Sequence, residues 1–166
     1  MPLKAQGEFA LLKQHVEAGL KQSLAMGAAV GADHNLHNLL VDGAAERRDQ
    51  AALREYAPIA QESAARIGHR LHMGVAQRAF GVAHSLNHEY QQAEERLNEA
   101  LDIFQAYPVP WQIGRTLFEL GELKRGEGKI KQAGEYYSRA LSEFERLHAA
   151  PFVRKTREAL AQLGSK

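Results

Sequence analysis

The chain has 166 residues and a formal net charge of +1, so its bulk charge favours neither a nucleic acid nor an anionic membrane as partner. It has no cysteine, which excludes disulfides and thiolate metal sites and is compatible with a reducing compartment. The N-terminal sequence has no apolar signal core, and no apolar run approaches the roughly 18 residues needed to cross a bilayer. We therefore expect a cytoplasmic protein with no membrane partner.

The first half of the chain predicts three helices, because apolar side chains recur there every three or four residues. Asp33 and Asp49 are the expected N-caps of the second and third helices. Glycines mark the helix ends, and Gly43 leaves the end of the second helix open. Residues 1–7 precede the first helix and are expected to fray. The three helices run from 8 to 26, from Asp33 onward, and from Asp49 to Gly68.

The second half predicts five more helices, joined by short connections that pair them as antiparallel hairpins. Pro108 and Pro110 end the helix that precedes them, and Pro110 suits the first turn of the helix that follows. Gly126 and Gly128 end that helix. The five helices cover residues 70–86, 89–106, 110–126, 129–147 and 151–163. The whole chain, 1–166, is therefore predicted to be a single all-α domain.

The sequence of residues 74–107 recurs at 114–147, so the chain contains an internal repeat with an offset of 40. Self-similarity at a period of roughly 20 to 50 residues is typical of solenoids, in which each unit buries its apolar face against its neighbour. The residues shared by the two copies include Gly74 and Gly114, Gly81 and Gly121, Ala93 and Ala133, Ala100 and Ala140, and Phe104 and Phe144.

The repeat resembles the tetratricopeptide repeat family. The second copy carries Leu117, Leu120-Gly121, Ala133, Tyr137 and Ala140 at the family's positions, and the first copy carries Phe80-Gly81, Ala93, Leu97 and Ala100. The first copy departs at Gln77 and His84, where a large apolar residue and an aromatic are usual. The offset of 40, against about 34 in the family, predicts longer helices or an extra turn.

The resemblance implies a right-handed solenoid of antiparallel helix hairpins with about seven or eight helices. Gly81 and Gly121 would let the two helices of a hairpin approach closely. The helix at 150–163 would act as a cap, with Arg154, Lys155 and Arg157 keeping one of its faces in water. The C-terminal sequence is also similar to helical-repeat segments of large bacterial transcription regulators.

The resemblance further implies a protein-interaction module that binds a peptide or partner protein in a concave groove. Tryptophan and arginine anchor interfaces often, and the arginines would make the groove basic, so an acidic segment or a C-terminal carboxylate is the expected ligand. The lysine and asparagine set of the chaperone-binding members is missing. Packing against a neighbouring helix remains an equal alternative for Trp111 and Phe118. The groove residues are His34, His37, Arg78, Trp111, Arg115, Phe118, Glu122 and Arg125.

Other functions have weaker support. Histidine pairs at 34/37, 69/72 and 84/88 have a spacing that could ligate zinc or nickel, but each pair lacks an evident third ligand, and surface histidines are the favoured interpretation. No nucleophile elbow or phosphate-binding glycine loop is present, so no catalytic residue, metal or cofactor is predicted and an enzyme is not expected.

Two further alternatives concern partners. A regulatory or sensor fragment of a transcription regulator, which binds a small effector or self-associates, is the second interpretation of the chain. Apolar edges on the first and last helices are compatible with a homodimer. The low density of basic residues at the C-terminus argues against nucleic-acid binding.

Overall fold

The computed structural model describes residue 11 and residues 14–19, 21–22 and 33–164, with the side chains of residues 33 and 34 excluded. Every regular element in these ranges is an α-helix, which confirms the all-α class. Residues 11, 14–19 and 21–22 are helical, while the rest of the first predicted helix lies outside the described residues. Within the described ranges, no helix combines the length and the apolar character needed to cross a membrane.

Seven helices have defined bounds between residues 33 and 164. They are α1 Asp33–Arg47, α2 Gln50–Arg66, α3 Arg70–Leu86, α4 Tyr90–Ala106, α5 Pro110–Gly126, α6 Ile130–Arg146 and α7 Ala150–Leu163. The predicted helix positions agree with these bounds, except that α1 continues through Gly43 and that Asp33 is its first residue and not its N-cap. Asp49 caps α2 as predicted, since its side chain accepts a hydrogen bond of 3.1 Å from the backbone N–H of Ala52.

The helices from α2 to α6 have a common length of 17 residues, and three-residue connections join them. Successive helices therefore begin 20 residues apart, and a hairpin with its connections occupies 40 residues. Of the two explanations predicted for the 40-residue offset, longer helices or an extra turn, the longer helices are therefore the one observed.

The six connections between α1 and α7 share one type of backbone hydrogen bond, and five of them also contain a left-handed residue; the exception is the connection of residues 107–109. In the connection after α2, the N–H of His69 donates to the carbonyl of Ala64, and the N–H of Gly68 donates to that of Ala65. This pair of bonds is the Schellman arrangement, which requires a left-handed residue after the helix. The carbonyl of His69 then accepts from Met73 and starts the next helix. Left-handed residues occur at Arg48, Gly68, His88, Gly128 and His148.

The chain divides within α3 into two compact units, residues 1–79 and 80–166. In the first unit α1 packs against α2, and the core includes Leu40, Leu53 and Tyr56. In the second unit each of α5, α6 and α7 packs against the helix before it. The prediction of one solenoid domain over residues 1–166 stays a prediction.

Glycines allow the closest helix approach in the second unit. A Cβ atom built on Gly121 would lie 2.5 Å from Cδ1 of Tyr137, and one built on Gly81 would lie 2.5 Å from Cγ of Leu97. Both side chains are fully buried. The predicted role of these glycines in close helix packing is therefore confirmed.

Candidate functional site

The predicted groove residues of the first unit differ in their surroundings. The side chain of His34 lies outside the described part, and His37 is partly buried. Arg78 is only 1% exposed, and its Nη2 atom lies 2.6 Å from Oδ1 of Asp42. Because a buried guanidinium is stable only when it is paired, this arginine holds α3 to α1. Its charge is engaged inside the first unit.

The other five predicted groove residues lie along one stripe of α5 in the second unit. Trp111 and Glu122 are partly buried, and Arg125 is exposed. Arg115 is 8% exposed and Phe118 is 4% exposed. The stripe is therefore more enclosed than a groove lined by free side chains, and its surroundings decide what it can bind.

Trp111 packs against the helices that follow α5. Its ring meets Phe144 of α6 and Phe152 of α7 edge to face, at centroid distances of 5.8 and 4.8 Å. The guanidinium carbon of Arg115 lies 5.9 Å from the Trp111 ring and 6.0 Å from the Phe152 ring. One side of Trp111 thus packs against neighbouring helices, as in the alternative given for it above, while the residue keeps a partly exposed surface.

Phe118 lies beneath a lysine from α7. The ammonium nitrogen of Lys155 is 4.5 Å from the Phe118 ring centroid and 5.7 Å from that of Phe152, distances typical of cation–π contacts. Phe118 also contacts the ring of Tyr137 at 5.4 Å. Lys155 is exposed. Within the described residues its ammonium contacts these two rings, and no carboxylate lies at ion-pair distance from it.

Sequence reasoning did not place Lys155 and Phe152 in the site, because α7 was interpreted as a cap with one face in water. One signal could have found the lysine, since Lys155 follows Arg115 by the repeat offset of 40. Both cations are thus carried by equivalent repeat positions of helices whose side chains are in contact. We call Trp111, Arg115, Phe118, Phe152 and Lys155 the α5–α7 face.

At the C-terminal end of α5, the stripe residues form a hydrogen-bonded network with Tyr137. The hydroxyl of Tyr137 donates to Oε1 of Glu122, and Nη2 of Arg125 donates to Oε2 of Glu122 at 2.7 Å. Burial raises the pKa of Tyr137, and the bond to Glu122 raises it further, so the phenol remains protonated as a donor. Glu122 therefore forms an ion pair with Arg125 and accepts a hydrogen bond from the neutral Tyr137.

Lys124 forms a separate polar cluster on the opposite side of α5. Its side chain is 3% exposed, and its ammonium lies 2.6 Å from Glu94 of α4 and 2.9 Å from Glu127. Burial alone would lower the pKa of Lys124, but hydrogen bonds to the two carboxylates outweigh it and the pKa is raised. Because the lysine stays charged and paired, the cluster ties α4 to α5.

The histidine pairs make local contacts. The rings of His69 and His72 stack at 3.8 Å, and Nδ1 of His69 accepts from the backbone N–H of His72 at 3.2 Å. Nδ1 of His84 lies 2.5 Å from Glu89. Among the described residues, no three His, Cys, Asp or Glu side chains are placed to hold a metal ion. The structure thus adds no third ligand to any described pair.

An open cleft of about 660 Å³ lies beside the connection between α6 and α7. Its walls carry charges of both signs, and Arg157 and Glu145 are joined at 2.7 Å. This mixed lining selects for no single class of ligand. The lining residues are Glu145, His148, Ala150, Val153, Arg154, Arg157 and Glu158.

Comparison of the chain with models of known protein families and with curated proteins gives no significant match. The tetratricopeptide resemblance therefore rests on the repeat residues alone.

Proposed function

We propose that the chain is a protein-interaction module of the tetratricopeptide type, which binds a peptide or partner protein through the α5–α7 face. The observation that carries this proposal is the arrangement of Lys155 and Arg115 around the rings of Phe118, Phe152 and Trp111. Tryptophan and arginine are among the side chains that contribute most binding energy in protein interfaces, and aromatic residues are enriched there.

The rigidity of the surface also supports binding. The rings of Trp111, Phe144 and Phe152 pack against one another, so a partner would meet side chains that are already ordered. A preorganised surface loses less conformational entropy on binding than a flexible one. No chemical step is needed for this function, since the face holds a partner and transforms nothing.

The test is affinity capture from the cells that make the protein, with Lys155→Glu compared with the wild type. The Lys155 side chain is exposed, so its reversal leaves the core intact. Lys131→Glu reverses an exposed charge on α6 and is the matched control. Arg78 and Arg115 are unsuitable for this test because each is largely buried.

A partner captured by the wild type and the α6 control, but lost with the Lys155→Glu variant, would support the proposal. Equal helix content of the three proteins by circular dichroism is the folding control. If every specifically captured protein is retained by both variants, binding does not use the α5–α7 face and the proposal is refuted.

A further inference from the structure

We propose that the α5–α7 face recognises a carboxylate of an acidic peptide segment, and that Lys155 is the residue that contacts it. This inference rests on the proposed function and names the ligand chemistry of the same surface. It assigns to α7 a direct part in recognition, although its sequence is that of a solvated capping helix.

The first argument is the position of the lysine charge. An exposed lysine normally samples many rotamers, but the ammonium of Lys155 lies over Phe118 and close to Phe152. An ammonium group has three N–H donors, and within the described residues Lys155 donates none of them to a protein oxygen, so a ligand can accept from it. A carboxylate bound there would gain a charge-assisted hydrogen bond with a cation that is already in place.

The second argument is the local balance of charge. Arg115 brings a second cation to within 6.0 Å of the Phe152 ring. Glu122, the carboxylate of the α5 stripe, accepts hydrogen bonds from both Tyr137 and Arg125. The exposed charge of the face, that of Lys155, is therefore positive, and an anionic ligand fits it better than a cationic one.

The third argument is the partly exposed surface of Trp111 beside these charges. An apolar side chain next to the carboxylate would bury surface against this ring, whereas a free inorganic anion would gain nothing there. The combination indicates a peptide in which aspartate or glutamate alternates with large apolar residues.

The experiment uses Trp111, the single tryptophan of the chain, as the reporter. A capped peptide of alternating glutamate and leucine is titrated into the full chain, and tryptophan fluorescence is followed. The companion probe has glutamine in place of glutamate. Lys155→Met removes the charge and keeps an unbranched apolar side chain over the rings, and Lys131→Met is the matched control on α6.

We expect the glutamate peptide to bind the wild type and Lys131→Met equally, and to bind Lys155→Met at least about 10-fold more weakly. The glutamine peptide should bind weakly and with equal affinity to the three proteins. Replacing glutamate by glutamine in the peptide and replacing Lys155 by methionine in the protein remove the same carboxylate–ammonium contact. Rising salt should weaken only the glutamate complex with an intact Lys155.

Three results would overturn the inference. The first is no binding of the glutamate peptide up to millimolar concentration. The second is equal affinity of the two peptides for the wild type, which would leave the α5–α7 face a peptide site and contradict only the carboxylate contact. The third is equally effective displacement of the peptide by inorganic phosphate or by a single-stranded oligonucleotide, which would show a general anion surface. Failure of the proposed function itself would appear separately, in the capture experiment.

Discussion

The contact between Gly121 and Tyr137 gives the sharpest prediction about stability. Replacing Gly121 with alanine would place Cβ 2.5 Å from Cδ1 and 2.6 Å from Cε1 of Tyr137. Carbon atoms in contact normally lie about 3.5–4.0 Å apart, so the ring would have to move by about 1 Å. The ring is fully buried, touches Phe118 and donates its hydroxyl to Glu122, so no direction of movement is free.

The size of the effect follows from two opposing contributions. Overpacking a core costs about 1–3 kcal/mol, and the confinement of Tyr137 places this case near the upper end. Alanine favours a helix interior over glycine by about 1 kcal/mol. We therefore expect Gly121→Ala to destabilise the second unit by about 2 kcal/mol.

Gly134 provides the matched control, because it lies inside α6 and its Cβ would be 3.7 Å from Leu163, an ordinary contact. Gly134→Ala should therefore stabilise the same unit by about 1 kcal/mol. Urea denaturation followed by Trp111 fluorescence reports on this unit, since the only tryptophan lies within it. A Gly121→Ala protein as stable as the wild type, or two alanine variants with the same midpoint, would refute the packing argument.

Three further predictions concern the stability of the folded protein. Gly128 has a φ of +77° and no atom within 4 Å of a built Cβ, so Gly128→Ala should cost about 1 kcal/mol through backbone strain alone, and an unchanged urea midpoint would contradict this. Ser63 is 3% exposed and its hydroxyl has no hydrogen-bond partner among the described residues, so Ser63→Ala should stabilise the protein by about 1 kcal/mol by circular dichroism, and a loss of stability would contradict this. The pKa of Glu127 lies below 4.5, because burial alone would raise it but the hydrogen bonds from Lys129 and Lys124 outweigh that effect. The unfolded chain therefore binds more protons as the pH drops below 4.5, so stability should decline there in the wild type and less steeply in Glu127→Gln, and parallel pH profiles would refute the assignment.

The sequence predicted the helices well where local chemistry sets their ends. Asp49 caps α2, Pro110 begins α5, and Gly68 and Gly128 take left-handed conformations that suit glycine. It did not reveal the 20-residue period of the connections. Arg48, His88 and His148 take the left-handed conformation without being glycine, so no common residue type marks those positions.

The candidate site was harder to predict than the helices. The α5 stripe follows from helical spacing, and Trp111, Arg115, Phe118, Glu122 and Arg125 do share one helix. Spacing alone cannot give the exposure of each residue, because exposure depends on what the next helices place against it. The tetratricopeptide resemblance and its groove remain predictions.

By itself, the sequence determined the all-α class, the approximate positions of the helices and the glycines, Gly81 and Gly121, that permit close packing. These features depend on caps, breakers and periodicity, which act over a few residues or repeat along the chain. Only the tertiary structure decided that Arg78 is buried against Asp42 and that Lys155 lies over Phe118. Such contacts join residues more than 30 positions apart, and their geometry is set by how whole helices pack.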